Sequence, residues 1–418
     1  MGARLFPLLV LGLLAMAACR PLTLTSLFGP ASVASTVTPT PVQNVPQVAA
    51  IPPGPVVALA ALPGDEFLAA VGPIGDPETG LTWQLYRGRG DGWQRLAWPD
   101  EASPRSLHVS PSGDAIFAVP FSQAIFGAGQ PWGLMRSTDG GQSWQQILNG
   151  LDDPYVMDVV LSPAFDEDHT LAAVTWRNGV YLSTDRGDTW RSLPYRRRIE
   201  PSGGANPYDL AVALSPDFRG GVAAARPIEQ GLIVASFGHG LRLWSPKRGD
   251  WRTVALTVTT RIEDYDPPSA FLTAGAVAFS PSFTGDGTIY LYSGYAGLFR
   301  SADRGETWRV AGRRLPVASL PTGSFHLEVT SATEAYLLLP AARKDDERTT
   351  QTPAAESGFV LYRTRDGGAS WQALRPPPVP GEVSAFTLTR DEQGRVVLCL
   401  GGSHGGVSGY PVDGLTWD

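Results

Sequence analysis

Several residue groups in this 418-residue chain have types and spacings that could do chemistry. Aspartates recur in one frame: STDGGQSW (137–144), STDRGDTW (183–190), SADRGETW (301–308) and TRDGGASW (364–371). A carboxylate among hydroxyls and glycines can hold turn amides or bind a cation, or act as acid or base beside a second carboxylate. Asp185-Arg186-Gly187-Asp188 is the nearest approach to a calcium loop, but it lacks the alternating oxygen ligands and closing Glu of one. No metal and no cofactor is therefore expected. His239 and His404 sit in matching glycine-flanked loops, Gly238-His239-Gly240 and Ser403-His404-Gly405. Arg196-Arg197-Arg198 suits an anionic ligand, although such runs also serve as solvated loops. Gly401-Gly402-Ser403-His404-Gly405 fits G-x-S-x-G, yet a nucleophile elbow needs a helix after the turn, and strand-like sequence lies on both sides.

The two cysteines differ. Cys399 lies in the apolar run Val396-Val397-Leu398-Cys399-Leu400 and reads as a buried hydrophobe. Cys19 ends Met16-Ala17-Ala18-Cys19, after a positive Arg4 and the apolar run Leu5 to Met16. That run is too short to span a bilayer and has the flanks of a secretory signal. Residues 1–18 read as a signal peptide whose end resembles a bacterial lipobox, with Cys19 acylated. An ordinary signal with an incidental cysteine is the other reading. Residues 19–54, rich in Pro, Thr, Val, Ser and Ala, read as a tether on the order of 100 Å in reach. The expected location is the outer face of a bacterial membrane.

The elements that position these groups follow from the repeat. Each aspartate string follows a short apolar run starting at or near Gly, such as Gly179-Val180-Tyr181-Leu182, and ends in Trp. Three decayed copies, Arg87 to Trp93, Ser245 to Trp251 and Asp413 to Trp417, complete a series of seven terminal tryptophans at intervals of 46 to 63 residues. Upstream of the string many units carry an apolar run and Ser-Pro: Val109-Ser110-Pro111, Leu161-Ser162-Pro163, Leu214-Ser215-Pro216 and Phe279-Ser280-Pro281. Three continue as Pro-x-Phe, with Phe165, Phe218 and Phe283. One unit therefore reads as four antiparallel strands A to D, with a Ser-Pro turn between A and B and the aspartate turn between C and D. This predicts an all-β fold over 55–418, a seven-bladed β-propeller of four-stranded blades. In each turn Asp139, Asp185, Asp303 and Asp366 are structural. So are Gly141, Gly187, Gly305 and Gly368, and the tryptophans Trp144, Trp190, Trp308 and Trp371. The Asp takes turn amides, the Gly adopts a backbone angle other residues resist, and the Trp buries a flat face.

These strings resemble the BNR or Asp-box repeat. The resemblance covers residues 55–418 and implies the architecture of sialidases, xyloglucan-degrading glycoside hydrolases, sortilin-type receptors and photosystem II assembly-factor-like propellers. The Ser-Pro-x-Phe element looks most like the last, non-catalytic set. In Asp-box enzymes the active site lies opposite the boxes. That face collects Arg177, His239, Tyr295 and His404 from B–C loops, and Arg196, Arg197, Arg198 and Asp264 from crossovers, as possible ligand residues.

Two functions remain open: a non-catalytic surface binding or assembly module for a protein or carbohydrate, and an exo-acting, sialidase-like glycoside hydrolase. The Phe/Tyr-Arg-Ile-Pro string of sialidases is absent, and the chain has room for one propeller where xyloglucan enzymes use two. A net charge of −7 argues against nucleic acid, which needs a basic face. The membrane is expected to be reached through the lipid alone. The chain ends at Thr416-Trp417-Asp418, where the last strand D should begin. Val42 to Ile51, alternating over Val45–Ala49, either supplies that strand or stays tether.

Overall fold

The computed structural model describes residues 48–49, 54–76, 80–121, 131–176, 179–193, 211–220, 233–237, 240–245, 250–254, 274–293, 297–312, 315, 326–340, 359–375, 378–391 and 393–417. They form seven antiparallel sheets. Sheet three shows the plan. Val156–Leu161, Leu171–Thr175, Gly179–Ser183 and Arg191–Ser192 pair in sequence order. Its two middle strands are buried at every residue, which is why they read as continuous apolar runs rather than alternating ones.

The first strand of each sheet is the innermost. In order these are Val56–Leu62, Ser103–Val109, Val156–Leu161, Ala211–Leu214, Ala274–Phe279, His326–Val329 and Val383–Arg390. Each contacts the next, and the seventh contacts the first, so the sheets close around a central axis as a β-propeller. Between neighbouring sheets lies a hydrophobic cluster, and each cluster holds one of the seven repeat tryptophans. Trp144 packs toward sheet one and stands edge-on to Trp98, with centroids 5.1 Å apart. Trp93 sits in the cluster joining sheets one and seven. The Pro-x-Phe element has the same logic: Phe165, Phe218 and Phe283 are fully buried.

The strand complement differs from the expectation of seven four-stranded blades. Six sheets carry four strands or more, and the seventh has three. Its third strand, Val407–Pro411, is followed by a single helical turn, Val412–Gly414, instead of a fourth strand. Trp417 still reaches the preceding sheet, through an isolated bridge to Leu374 and an edge contact with Tyr336 at 5.9 Å. Of Val42 to Ile51, the described residues are Val48 and Ala49, and they do not pair with this sheet. Instead, Val48–Ala49 pairs with Gly92–Arg95 as an outermost fifth strand on sheet one. Six residues separate Ala49 from Val56, a reach of about 20 Å, which keeps the segment on the sheet that Val56 begins.

The A–B and C–D turns share one face. Arg186 N–H donates to His169 O, Arg304 N–H to Gly287 O, and Gly367 N–H to Thr333 O, each from a C–D turn to the A–B turn of the same sheet. The aspartate turns repeat a single network. Ser183 Oγ donates to Asp185 Oδ1 (2.7 Å) and accepts from Gly187 N (2.8 Å), and Asp185 accepts from Thr189 N (2.9 Å). The same bonds recur around Asp139, Asp303 and Asp366. Gly187 has φ +91°, and a Cβ there would lie 2.5 Å from Ile147 of the preceding sheet, so only glycine fits both the turn and the interface.

Candidate functional site at the inner strands

An innermost strand has one hydrogen-bonded neighbour, so its other edge presents free amides and carbonyls toward the axis. Three side chains meet this need across sheet boundaries. Asp158 Oδ2 accepts from Val212 N of sheet four (3.1 Å), and Glu328 Oε2 accepts from Leu388 N of sheet seven (3.2 Å). Ser384 Oγ donates to Val56 O of sheet one (2.7 Å), where the ring closes. Among the described residues, Asp158 and Glu328 are the acidic residues of the innermost strands.

Histidines join them. His108 Nε2 lies 4.0 Å from Asp158 and 3.0 Å from Ser106 Oγ. His326 Nε2 lies 3.1 Å from Glu328, and its ring packs on Phe386 at 4.4 Å between centroids. His108 and Asp158 keep about a quarter of their side-chain surface accessible (26% and 25%), but protein surrounds them on every side. Burial, and then the charge of His326, pushes His108 down to about 4. Burial pushes Asp158 up to about 6 against the Val212 amide and Arg105, which favour its charged form. At pH 7 the pair is therefore a neutral imidazole beside an ionised carboxylate.

Five first strands carry an irregularity near the end remote from the aspartate turns. The register shifts between Val56 and Ala58, Pro104 and Ser106, Val156 and Asp158, Ala274 and Ala276, and Val383 and Ala385. Each extra residue breaks the alternation, as a β-bulge does, and re-aims a side chain. In sheet two the extra residue is Arg105. It lines a cleft between sheets two and three together with Phe121, Tyr155 and Met157.

Of the residues expected on this face, His404 is described. It is exposed in the hairpin between Val396–Gly402 and Val407–Pro411, where its N–H donates to Pro380 O (3.3 Å). Neighbouring Ser403 Oγ accepts from Glu382 N (2.9 Å). Arg177, Arg196, Arg197, Arg198, His239, Asp264 and Tyr295 lie outside the described residues, as does Cys19. Cys399 is fully buried and its thiol is pushed up to about 12 by burial, which keeps it protonated. The sequence reading missed Arg105, His108, Asp158, His326 and Glu328. A signal exists for two of them: with the units aligned on Ser-Pro, His108 lies two places before Ser110 and Asp158 four places before Ser162, each a polar residue within a first strand.

Neither protein-family models nor curated proteins match the chain. Solved structures do. YCF48 bound to a D1 peptide shares 17% identity at a TM-score of 0.50, covering 88% of this chain and 98% of that one. Virginiamycin B lyase from Staphylococcus aureus shares 10% identity at a TM-score of 0.50, covering 85% and 93%. The GH74 xyloglucanase from Xanthomonas campestris shares 16% identity at a TM-score of 0.42, covering 87% and 66%. At these identities the likeness is one of fold alone.

Proposed function

We propose that the protein is an extracytoplasmic Asp-box propeller of seven sheets, anchored through lipid on Cys19, that acts as a non-catalytic binding or assembly module. One observation carries this reading. The innermost-strand carboxylates, Asp158 and Glu328, each hold a backbone amide of the following sheet. A glycosidase needs two carboxyl groups free to flank a sugar, and these two are engaged in joining sheets. The ligand face is the one opposite the aspartate turns, with Arg105, His108, Asp158, His326 and His404 among its polar groups. A protein or carbohydrate partner is the expected ligand class, and the D1 peptide held by YCF48 makes a peptide the first to test.

The alternative, an exo-acting glycoside hydrolase on the same face, draws on the Asp158 carboxyl. Its pKa of about 6 lies in the range of a general acid near neutrality. One experiment separates the two. The full chain is incubated with sialosides, aryl glycosides and xyloglucan oligosaccharides, and released sugar is measured. The binding reading expects no turnover. Turnover that Asp158→Asn abolishes would establish the hydrolase instead. Mass spectrometry of the N-terminal peptide checks the anchor, and an unmodified Cys19 removes it.

A further inference from the structure

We infer that the outer edge of sheet seven is a docking site for an extended segment of a partner protein, which adds there as a fourth strand. The site lies on the rim of the ring and is independent of the face opposite the aspartate turns. In the other six sheets the strand after the repeat Trp covers the edge of the third strand in one register. The third residue after the Trp is aliphatic, and its N–H donates to a carbonyl near the start of the third strand. Leu193 N–H meets Val180 O at 2.9 Å and Ile147 N–H meets Leu134 O at 2.9 Å, and Leu96, Ala311 and Leu374 repeat the bond. In sheet four Val254 pairs with Leu241 in the same place. The residue so paired is apolar and buried every time: Leu85, Leu134, Val180, Leu241, Leu298 and Leu361 are at most 2% exposed.

Val407 holds this place in sheet seven. Gly401 pairs with Val407 and Leu400 with Ser408, as Val174 pairs with Val180 and Ala173 with Tyr181 in sheet three. No described strand lies beyond Val407–Pro411, and Val407 is half-buried where its six counterparts are buried. Gly402 N–H donates to Gly406 O (3.1 Å), which sets the alternation of the ladder. Ser408 bonds inward, and Val407 and Gly409 turn their N–H and C=O groups to the open edge. Ser408 and Gly409 are small and exposed, so their side chains do not obstruct an approaching backbone. These features define the occupant: a strand antiparallel to Val407–Pro411, with N–H groups opposite Gly409 and Val407 and an aliphatic side chain over Val407. A second copy of the same edge does not fit. Two such strands paired about Gly409 set Pro411 against Val407, and proline has no N–H for the Val407 carbonyl. Proline on an edge strand works against self-pairing in general. A proline-free segment of a partner meets every requirement, in the manner of strand addition to a sheet edge.

The probe is a fluorescein-labelled peptide copying residues 145–149, which hold the outer strand of sheet two. It is titrated with the full chain and followed by fluorescence anisotropy. Saturable binding of one peptide per chain is expected. The same peptide with aspartate in place of its isoleucine, and the same peptide N-methylated at that isoleucine, should each bind at least tenfold more weakly. The first loses the cover over Val407, and the second loses the donor to its carbonyl. On the chain, Gly409→Pro should weaken binding at least tenfold. The Gly409 N–H faces the open edge, so the ladder to the neighbouring strand remains and circular dichroism should match the parent. The two altered peptides test the site on the unaltered chain, whatever that variant does to folding. Absence of saturable binding, equal binding of all three peptides, or undiminished binding by a folded Gly409→Pro chain would each overturn the assignment. A concentration-dependent dimer of the chain alone, dispersed by the peptide in sedimentation, would give the edge to a second copy and overturn it too. None of these outcomes bears on sugar release or on the Cys19 anchor, which are measured separately.

Discussion

Asp366 and Asp158 are the same residue type on two regions of one ring, and they titrate about four units apart. Asp366, in an aspartate turn, is held at about 2, first by the hydroxyl and then by the amide of Ser370. Asp158, on an innermost strand, is pushed up to about 6 by burial, with the Val212 amide only partly offsetting it. The turn offers its aspartate more hydrogen bonds than burial takes away, and the same solution appears in four sheets. The inner-strand site does the opposite, and its charged groups lie on three of the seven innermost strands. Repetition in one frame marks the parts that build the ring. Arg105, His108, Asp158, His326 and Glu328 stand outside that frame, which makes them the candidates for a different role.

The largest effect that tests this contrast is Trp190→Ala. Trp190 is 6% exposed in the cluster between sheets two and three. Deleting its ring should cost about 3–5 kcal/mol, as large-to-small core changes do, read as a loss in the urea unfolding midpoint. A loss below about 1 kcal/mol would mean that the tryptophans do not hold the interfaces. Asp185→Ala comes next, at about 1–3 kcal/mol from the turn donors it leaves unsatisfied. It should leave ligand affinity nearly unchanged at a temperature where the chain is folded. A selective loss of binding with intact stability would move the aspartate turns onto the functional side of the comparison.

The ring was legible because its repeat is local: a Trp, a Gly and an Asp within eight residues report a turn wherever they occur. The same locality explains the two errors at the ends. Alternation over Val45–Ala49 predicts a strand, and its described residues Val48–Ala49 form one, yet period two says nothing about its partner, and sheets one and seven both had an outer edge to offer. Chain reach from Val56 decides for sheet one. Trp417 announces a seventh unit and keeps its packing role on Tyr336, while its sheet has three strands and not four. The inner-strand site was not legible for the converse reason. Arg105 and His108, Asp158, and His326 and Glu328 come from three different innermost strands, and only closure of the ring brings those strands around one axis.

The inner-strand pair makes an intermediate prediction, in pH dependence. His108 has its pKa depressed on folding, so its contribution is present above about 6.5 and lost as pH falls through about 4. Asp158 has its pKa raised, so its contribution is present below about 3.8 and lost as pH rises through about 6. Between pH 4 and 6 the two slopes oppose, and the parent should change little in stability on their account. His108→Gln removes one slope, so that variant should gain stability relative to the parent as pH falls from 6 to 4. Asp158→Asn should lose it relative to the parent over the same window. Parallel curves for parent and both variants would show that neither group is perturbed by its setting.

The smallest effect belongs to Asp366, which is exposed on the turn face. Solvent screens its interactions, so Asp366→Asn should cost less than Asp185→Ala. Its pH signature is distinct from that of Asp158. A folded pKa of about 2 lies below the ordinary 3.8, so the carboxylate contributes stability above about pH 4 and loses it as pH falls toward 2. The gap between parent and Asp366→Asn should therefore be constant from pH 7 to about 4 and close below that. Urea midpoints at pH 7, 5, 4 and 3 measure it. A gap that closes already between pH 6 and 5 would give the turn aspartate the behaviour assigned to Asp158, and the distinction between a building face and a binding face would fail at the residue type on which it rests.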